Sequence, residues 1–202
     1  MKKFIAVLAL LALVSVGAFA QIQMSAGGGL IMDINGGNGV EAPGLNMSFD
    51  HMTYGFYGFF DATYVEVNAA FLFGTRTAKV SVFGLGSGSG TADFVGLNLS
   101  LLGKYPFNLG SVTVFPLVGL AYNMVLSIDG HSINVLDFNQ LALLAGVGLD
   151  YSFSEKLFLR ASALFQLRFP SKDQEDAAAM LSGASSTLGM GTVIKVAIGY
   201  RF

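Results

Sequence analysis

The last fifteen residues, Leu188 to Phe202, constrain the fold more than any other stretch of the chain. Counting back from the terminus by twos gives Phe202, Tyr200, Ile198, Val196, Ile194, Thr192, Met190 and Leu188. The alternate set is Arg201, Gly199, Ala197, Lys195, Val193, Gly191 and Gly189. Successive side chains of a strand point to opposite faces, whereas a helix would mix the two sets around its circumference. One face is therefore oily and ends in two aromatics, while the other is small or charged.

The same period of two recurs along the chain. Alternating segments fall at 22–34, 63–74, 91–105, 112–124, 139–153 and 156–169. A further strand within 45–60 is harder to place, because its apolar parity changes near His51; a bulge, or a loop extending to about Asp50, would account for that. Phe60-Asp61-Ala62, residues 106–111 and Ser154-Glu155 read as short turns, and 35–44, 75–90, 125–138 and 170–183 as long loops rich in Gly, Ser, Asn or Pro. Pro116 lies inside a strand and has no N–H for the ladder, so a bulge is expected there. In the last loop Ser171 and Gln174 have capping-box spacing, Asp173, Glu175 and Asp176 suit a helix start, and Gly183 suits its end.

The start of the chain has another purpose. Lys2 and Lys3, an apolar run from Phe4 to Val14 and Ala18-Phe19-Ala20 have the order of a secretory signal cut before Gln21, so residues 1–20 are set apart from a single domain at 21–202. With no Cys at the cut, no lipid anchor is expected. Charged residues make up 12% of the chain, against about 25% in an ordinary soluble domain. After the signal, however, no run of about 18 apolar residues occurs. Inside a bilayer only helices and closed barrels satisfy every backbone polar group, so the barrel remains. Without Lys2 and Lys3, nine basic residues face 13 acidic ones, which gives no reason to expect nucleic acid as a partner.

Eight such strands, short turns alternating with long loops, and a terminal strand ending Tyr200-Arg201-Phe202 resemble the small outer-membrane barrels of the OmpW, OmpX and OmpA transmembrane-domain type. The resemblance implies an all-β fold: an eight-stranded antiparallel up-and-down transmembrane β-barrel, with a short helix in the last extracellular loop. It also implies a monomer in outer-membrane lipid. Tyr200 and Phe202 resemble the assembly signal read by the barrel-assembly machinery. Tyr105, Tyr151, Phe153, Tyr200 and Phe202 are expected to form the periplasmic aromatic girdle, and Phe71, Phe73, Tyr122 and Phe169 the outer one.

With the oily faces toward lipid, the other faces meet in a lumen too narrow for a porin channel. Glu66, Lys104, Asp150, Arg160 and Arg201 are expected low in it as a paired plug, with Asp150 beside Arg160. Asp33, Arg168 and Lys195 lie higher, with less obvious partners. Leu72, Leu117, Leu144, Leu164 and Val193 form an apolar layer above that charged floor. The arrangement resembles the OmpW type, whose hydrophobic pocket admits small apolar molecules and turns them sideways into the membrane, and implies a small hydrophobic ligand. The bland reading is that these residues simply fill the core. Two other classes stay open: a structural or adhesive barrel whose loops bind a protein partner, and a soluble lipid-binding barrel with the oily set inside. His51 with Asp50 and His131 with Asp129 have no diagnostic catalytic or metal-binding spacing, so no enzyme activity, metal site or cofactor is expected.

Overall fold

A computed structural model describes residues 23–129, 131–132, 139–181 and 183–202. The signal reading of residues 1–20 and most of the third long loop lie outside them. In chain order the elements are β1 (Met24–Ala42), β2 (Leu45–Ala62), β3 (Val65–Val82), β4 (Gly86–Lys104), β5 (Phe107–Leu109), β6 (Val112–Ile128), β7 (His131–Ser132), β8 (Gln140–Ser152), β9 (Leu157–Arg168), α1 (Lys172–Met180), β10 (Ser185–Thr187) and β11 (Gly189–Arg201). The eight long strands each pair antiparallel with their neighbours, in the ring order β1, β2, β3, β4, β6, β8, β9, β11. The terminal strand closes the ring on β1, in register from Ser25↔Arg201 to Gly36↔Met190. The helix starts at Ser171, whose N–H donates to Gln174 Oε1 at 2.8 Å.

Large apolar side chains cover the outside: Leu30, Phe56, Val67, Leu101 and Ile198 are all exposed. A water-soluble monomer does not carry an apolar belt of this extent, and the oily set faces outward, so the soluble lipid-binding reading is overturned. At the end where β1 begins and β11 ends, Tyr64, Tyr105, Phe107, Tyr151, Phe153, Tyr200 and Phe202 form exposed aromatic pairs or runs. Higher up, Phe71 and Phe73 pack against each other, with Tyr54 and Phe56 beside Phe73.

The strands are unequal. The first four have 18 or 19 residues, whereas β8, β9 and β11 have 12 or 13. The extra length is supplied by 35–42, 75–82 and 86–90, expected from composition to be loops. The actual tips are Pro43-Gly44 and Phe83-Gly84-Leu85. In these upper parts the polarity of the two faces is inverted: Asp50, Thr75, Thr77 and Lys79 point outward, while Val40, Met47, Phe49, Ala78 and Val80 point inward. The parity change near His51 has this cause. β2 pairs with β3 from Leu45 to Ala62 without a shift. Odd-numbered residues of β2 face inward throughout, and what changes is the polarity of each face.

Three local expectations are corrected. The bulge near His51 is on β1, between Asn35 and Asn38, where it faces Asp50. Pro116 pairs in register with Val147 and stands one residue beyond Leu117↔Lys104, the last pairing with β4, so its missing N–H faces no β4 partner and no bulge is needed. The bulge of β6 lies higher, at Leu126 opposite Val95 and Gly96. Finally, Asp61 belongs to β2, and the turn is Thr63-Tyr64, with Thr63 at φ 49°.

Candidate functional site

The lumen is built in layers, each set by which inward positions on neighbouring strands share a height. The lowest layer is centred on Arg160, with 2% of its surface exposed. Its Nη1 donates to Glu66 Oε2 at 2.6 Å and its Nη2 to Asp61 Oδ2 at 2.7 Å. Nε and Nη2 together form a fork on Asp150, each at 2.7 Å. Lys104 Nζ donates to Asp61 as well. The rings of Phe59, Phe115 and Phe158 lie 4.4, 5.2 and 5.1 Å from the guanidinium carbon. Two of these rings occupy space left by glycine: a Cβ on Gly148 would sit 2.1 Å from Phe115, and one on Gly199 would sit 2.2 Å from Phe158. Arg201 is at the edge, donating to Ser152 Oγ at 2.8 Å.

Glu66, Lys104, Asp150 and Arg160 thus meet in one network. Asp61, which sequence reasoning assigned to a turn, is its most shared acceptor. Carrying the β2 alternation two residues past Phe59 would have found it.

Above the ionic floor Leu72, Leu117, Leu144, Leu164 and Val193 are buried in one apolar cluster with Ile31 and Tyr57. Lys195 enters this layer; its Nζ is 5.4 Å from the Tyr57 ring and has no hydrogen-bond acceptor among the described residues. The next layer is polar. Asp33 accepts from Arg168 and, at 2.5 Å, from Gln166 Nε2, while His51 Nε2 is 4.0 Å from its Oδ2. Asp33 and Arg168, without an obvious partner in the sequence, are therefore partners of each other.

A cavity of about 430 Å³ lies above this layer, inside the strand extensions. Val40, Met47, Phe49, Ala78, Ala92 and Ile128 give it apolar walls, and Ser171 and Gln174 at the start of α1 close one side. Below it is a cavity of about 20 Å³, lined by Phe49, His51, Arg76, Phe94, Asn123, Val125, Gln140 and Arg168. Phe49 and Arg76 form the partition between the two, with the Arg76 guanidinium carbon 4.6 Å from the Phe49 ring centre. None of the five apolar lumen residues chosen from the sequence lines the larger cavity. The wall-forming residues were missed because Gly- and Ser-rich composition outweighed the short alternation Met47, Phe49 on β2 and Ala78, Val80 on β3.

No protein-family model matches the sequence, and no curated protein matches it. Among solved structures, the fold is similar to the outer membrane protein OprG from Pseudomonas aeruginosa, with a TM-score of 0.54 and 14% identity over 90% of this chain and 96% of that one. It is also matched by Ail, the attachment invasion locus protein of Yersinia pestis, at a TM-score of 0.44 and 16% identity over 90% of this chain and 99% of that one. The N-terminal β-barrel domain of Pseudomonas aeruginosa OprF gives a TM-score of 0.35 and 16% identity, over 90% of this chain and all of that one. The chain has the fold of the small bacterial outer-membrane β-barrels.

Proposed function

We propose that the protein is exported through a cleaved signal peptide, assembled into the bacterial outer membrane as a monomeric barrel, and there takes small hydrophobic molecules into a pocket at its outer mouth. The observation that carries the reading is the cavity of about 430 Å³, apolar inside a wall whose outer face is polar. That size is in the usual range for sites of small organic ligands. The layers of buried side chains beneath it leave no route straight down. A molecule leaving the pocket goes sideways, and the bulges at Asn35/Asn38 and at Leu126 loosen the ladder beside Phe49 and Phe94, at the cavity floor. The reading involves no catalytic step.

The test is uptake of an apolar dye by vesicles containing the refolded protein. Ala78→Arg points a charge into the pocket and is expected to abolish uptake, while Thr77→Arg, one residue away on the outer face, leaves it intact. Equal uptake by both variants overturns the proposal.

A second reading, adhesion through the loops, is favoured by the tip of the β3–β4 hairpin, where Phe83 and Leu85 are 91% and 87% exposed. If the tip is an adhesive contact, Phe83→Ser with Leu85→Ser abolishes binding to host or neighbouring cells and leaves dye uptake unchanged. Unchanged cell binding removes this reading.

A further inference from the structure

The extensions of β1 to β4 form a four-stranded wall above the rest of the ring, and its two edges differ. Along β1 the edge is covered by β10, which pairs Ser185 to Thr187 with Gly39 to Glu41. Along β4 it is open. The ladder with β6 ends where Asp93 gives its N–H to Asp129 Oδ1 at 2.9 Å and accepts from the Asp129 N–H at 3.0 Å. Above that point, residues 86–92 pair with β3 alone among the described residues.

Asp93 thus turns both backbone groups toward the β6 side. Alternate residues of an antiparallel strand turn the same way, so Thr91, Ser89 and Ser87 present their N–H and C=O groups to the open side, while Gly88 and Gly90 bond to β3. Natural sheets blunt an exposed edge with lysine, proline, a bulge or a very short strand. This edge has none of these: it reads Gly-Ser-Gly-Ser-Gly-Thr-Ala and pairs with β3 without a shift.

The inner face of the edge is bare, since a Cβ on Gly88 or Gly90 would meet nothing within 4 Å. Gly90 and Ala92 line the larger cavity, so a strand laid on the edge brings its own inward side chains to that apolar mouth. Continuing the line that β6 leaves, such a strand runs antiparallel to β4. It starts beside the exposed Asp93 and ends beside the exposed Phe83 and Leu85. The backbone groups call for an extended polypeptide, the cavity for apolar residues at every second position, and Asp93 for a cation at the start.

We propose that the open edge of β4 takes an extended segment of a partner protein by strand addition, basic at its start and apolar at every second residue. This goes beyond the pocket reading, because backbone groups make the bonds and no small ligand is involved.

The test is amide hydrogen exchange of the barrel in lipid nanodiscs, read by NMR, with a short peptide alternating valine and serine behind two lysines as the probe. At saturation, exchange at Ser87, Ser89 and Thr91 is expected to slow at least about tenfold, with little change at Gly88 and Gly90. Valines turned to the cavity put the serine amides on the β4 side. N-methylation of the serine amides therefore abolishes the effect, and N-methylation of the valine amides preserves it. Ser89→Pro removes one open N–H at a position where an edge strand tolerates proline, and it too abolishes the effect. Boiling-dependent gel mobility checks that this variant is folded; if it is not, the two methylated peptides decide on the parent chain. No slowing by the probe, or equal slowing by both methylated peptides, overturns the proposal. Slowing without peptide that appears only when a nanodisc holds two barrels assigns the edge to a second copy and overturns it as well.

Discussion

Asp61 on β2 accepts a hydrogen bond at 2.7 Å from Arg160 on β9, 99 positions further along the chain. The contact crosses the lumen, so the two walls of the barrel are tied through one guanidinium that also holds Glu66 and Asp150. Arg160→Met leaves three buried carboxylates facing one another with Lys104 as the near cation. Removing one partner of a buried ionic network costs about 3–5 kcal/mol. A large fall in the urea midpoint of the lipid-refolded barrel is expected. Arg160→Lys recovers only part of it, because an ammonium cannot reproduce the fork on Asp150.

Gly148 and Phe115 make a complementary pair on β8 and β6, the ring occupying the space where a side chain at 148 would be. Gly148→Val therefore overpacks the floor, with a cost of about 1–3 kcal/mol read in the same urea titration. Phe115→Ala in that background makes room again, so the double variant is more stable than the sum of the two single changes predicts.

Leu99 and Thr77 both face outward, at different heights. Leu99 lies midway along the apolar belt of β4, where an arginine costs about 2–4 kcal/mol in lipid. Thr77 lies on the polar outer face of the extension, where Thr77→Arg stays within about 0.5 kcal/mol of the parent. Equal penalties would contradict the assignment of the belt.

The lumen is filled from the Arg160 floor to the Asp33 layer by buried side chains. In planar bilayers the refolded protein is accordingly expected to give no stable ion-conducting steps in salt. Discrete openings would mean that the layers part in the membrane.

The barrel was legible in the sequence because a belt in lipid requires strict alternation over many residues, and segments such as 139–153 and 188–202 have no other good reading. The pairing of Asp150 with Arg160 followed from the short turn between their strands. Asp33 with Arg168 did not, since the pair depends on β1 and β9 both flanking β11, a property of closure. The pocket was hidden for a different reason. Above Phe73 the outer face turns polar and the inner face apolar, so a reading tuned to oily-out alternation takes Thr75 to Val82 for a loop. Asp50 and His51 mark the inversion of polarity on β2, where the sequence alone admitted a bulge just as well.

The height at which the wall leaves the membrane carries the whole account, and the chain has no Cys, so single cysteines can be labelled at will. Fluorophores placed at Phe71, Thr77 and Lys79 in turn, in vesicles of lipids brominated along their tails, report depth directly. Strong quenching is expected at Phe71 and little at Thr77 or Lys79. Comparable quenching at all three would put the extension inside the bilayer, and the cavity would then be part of the membrane span and not a mouth open to the outside.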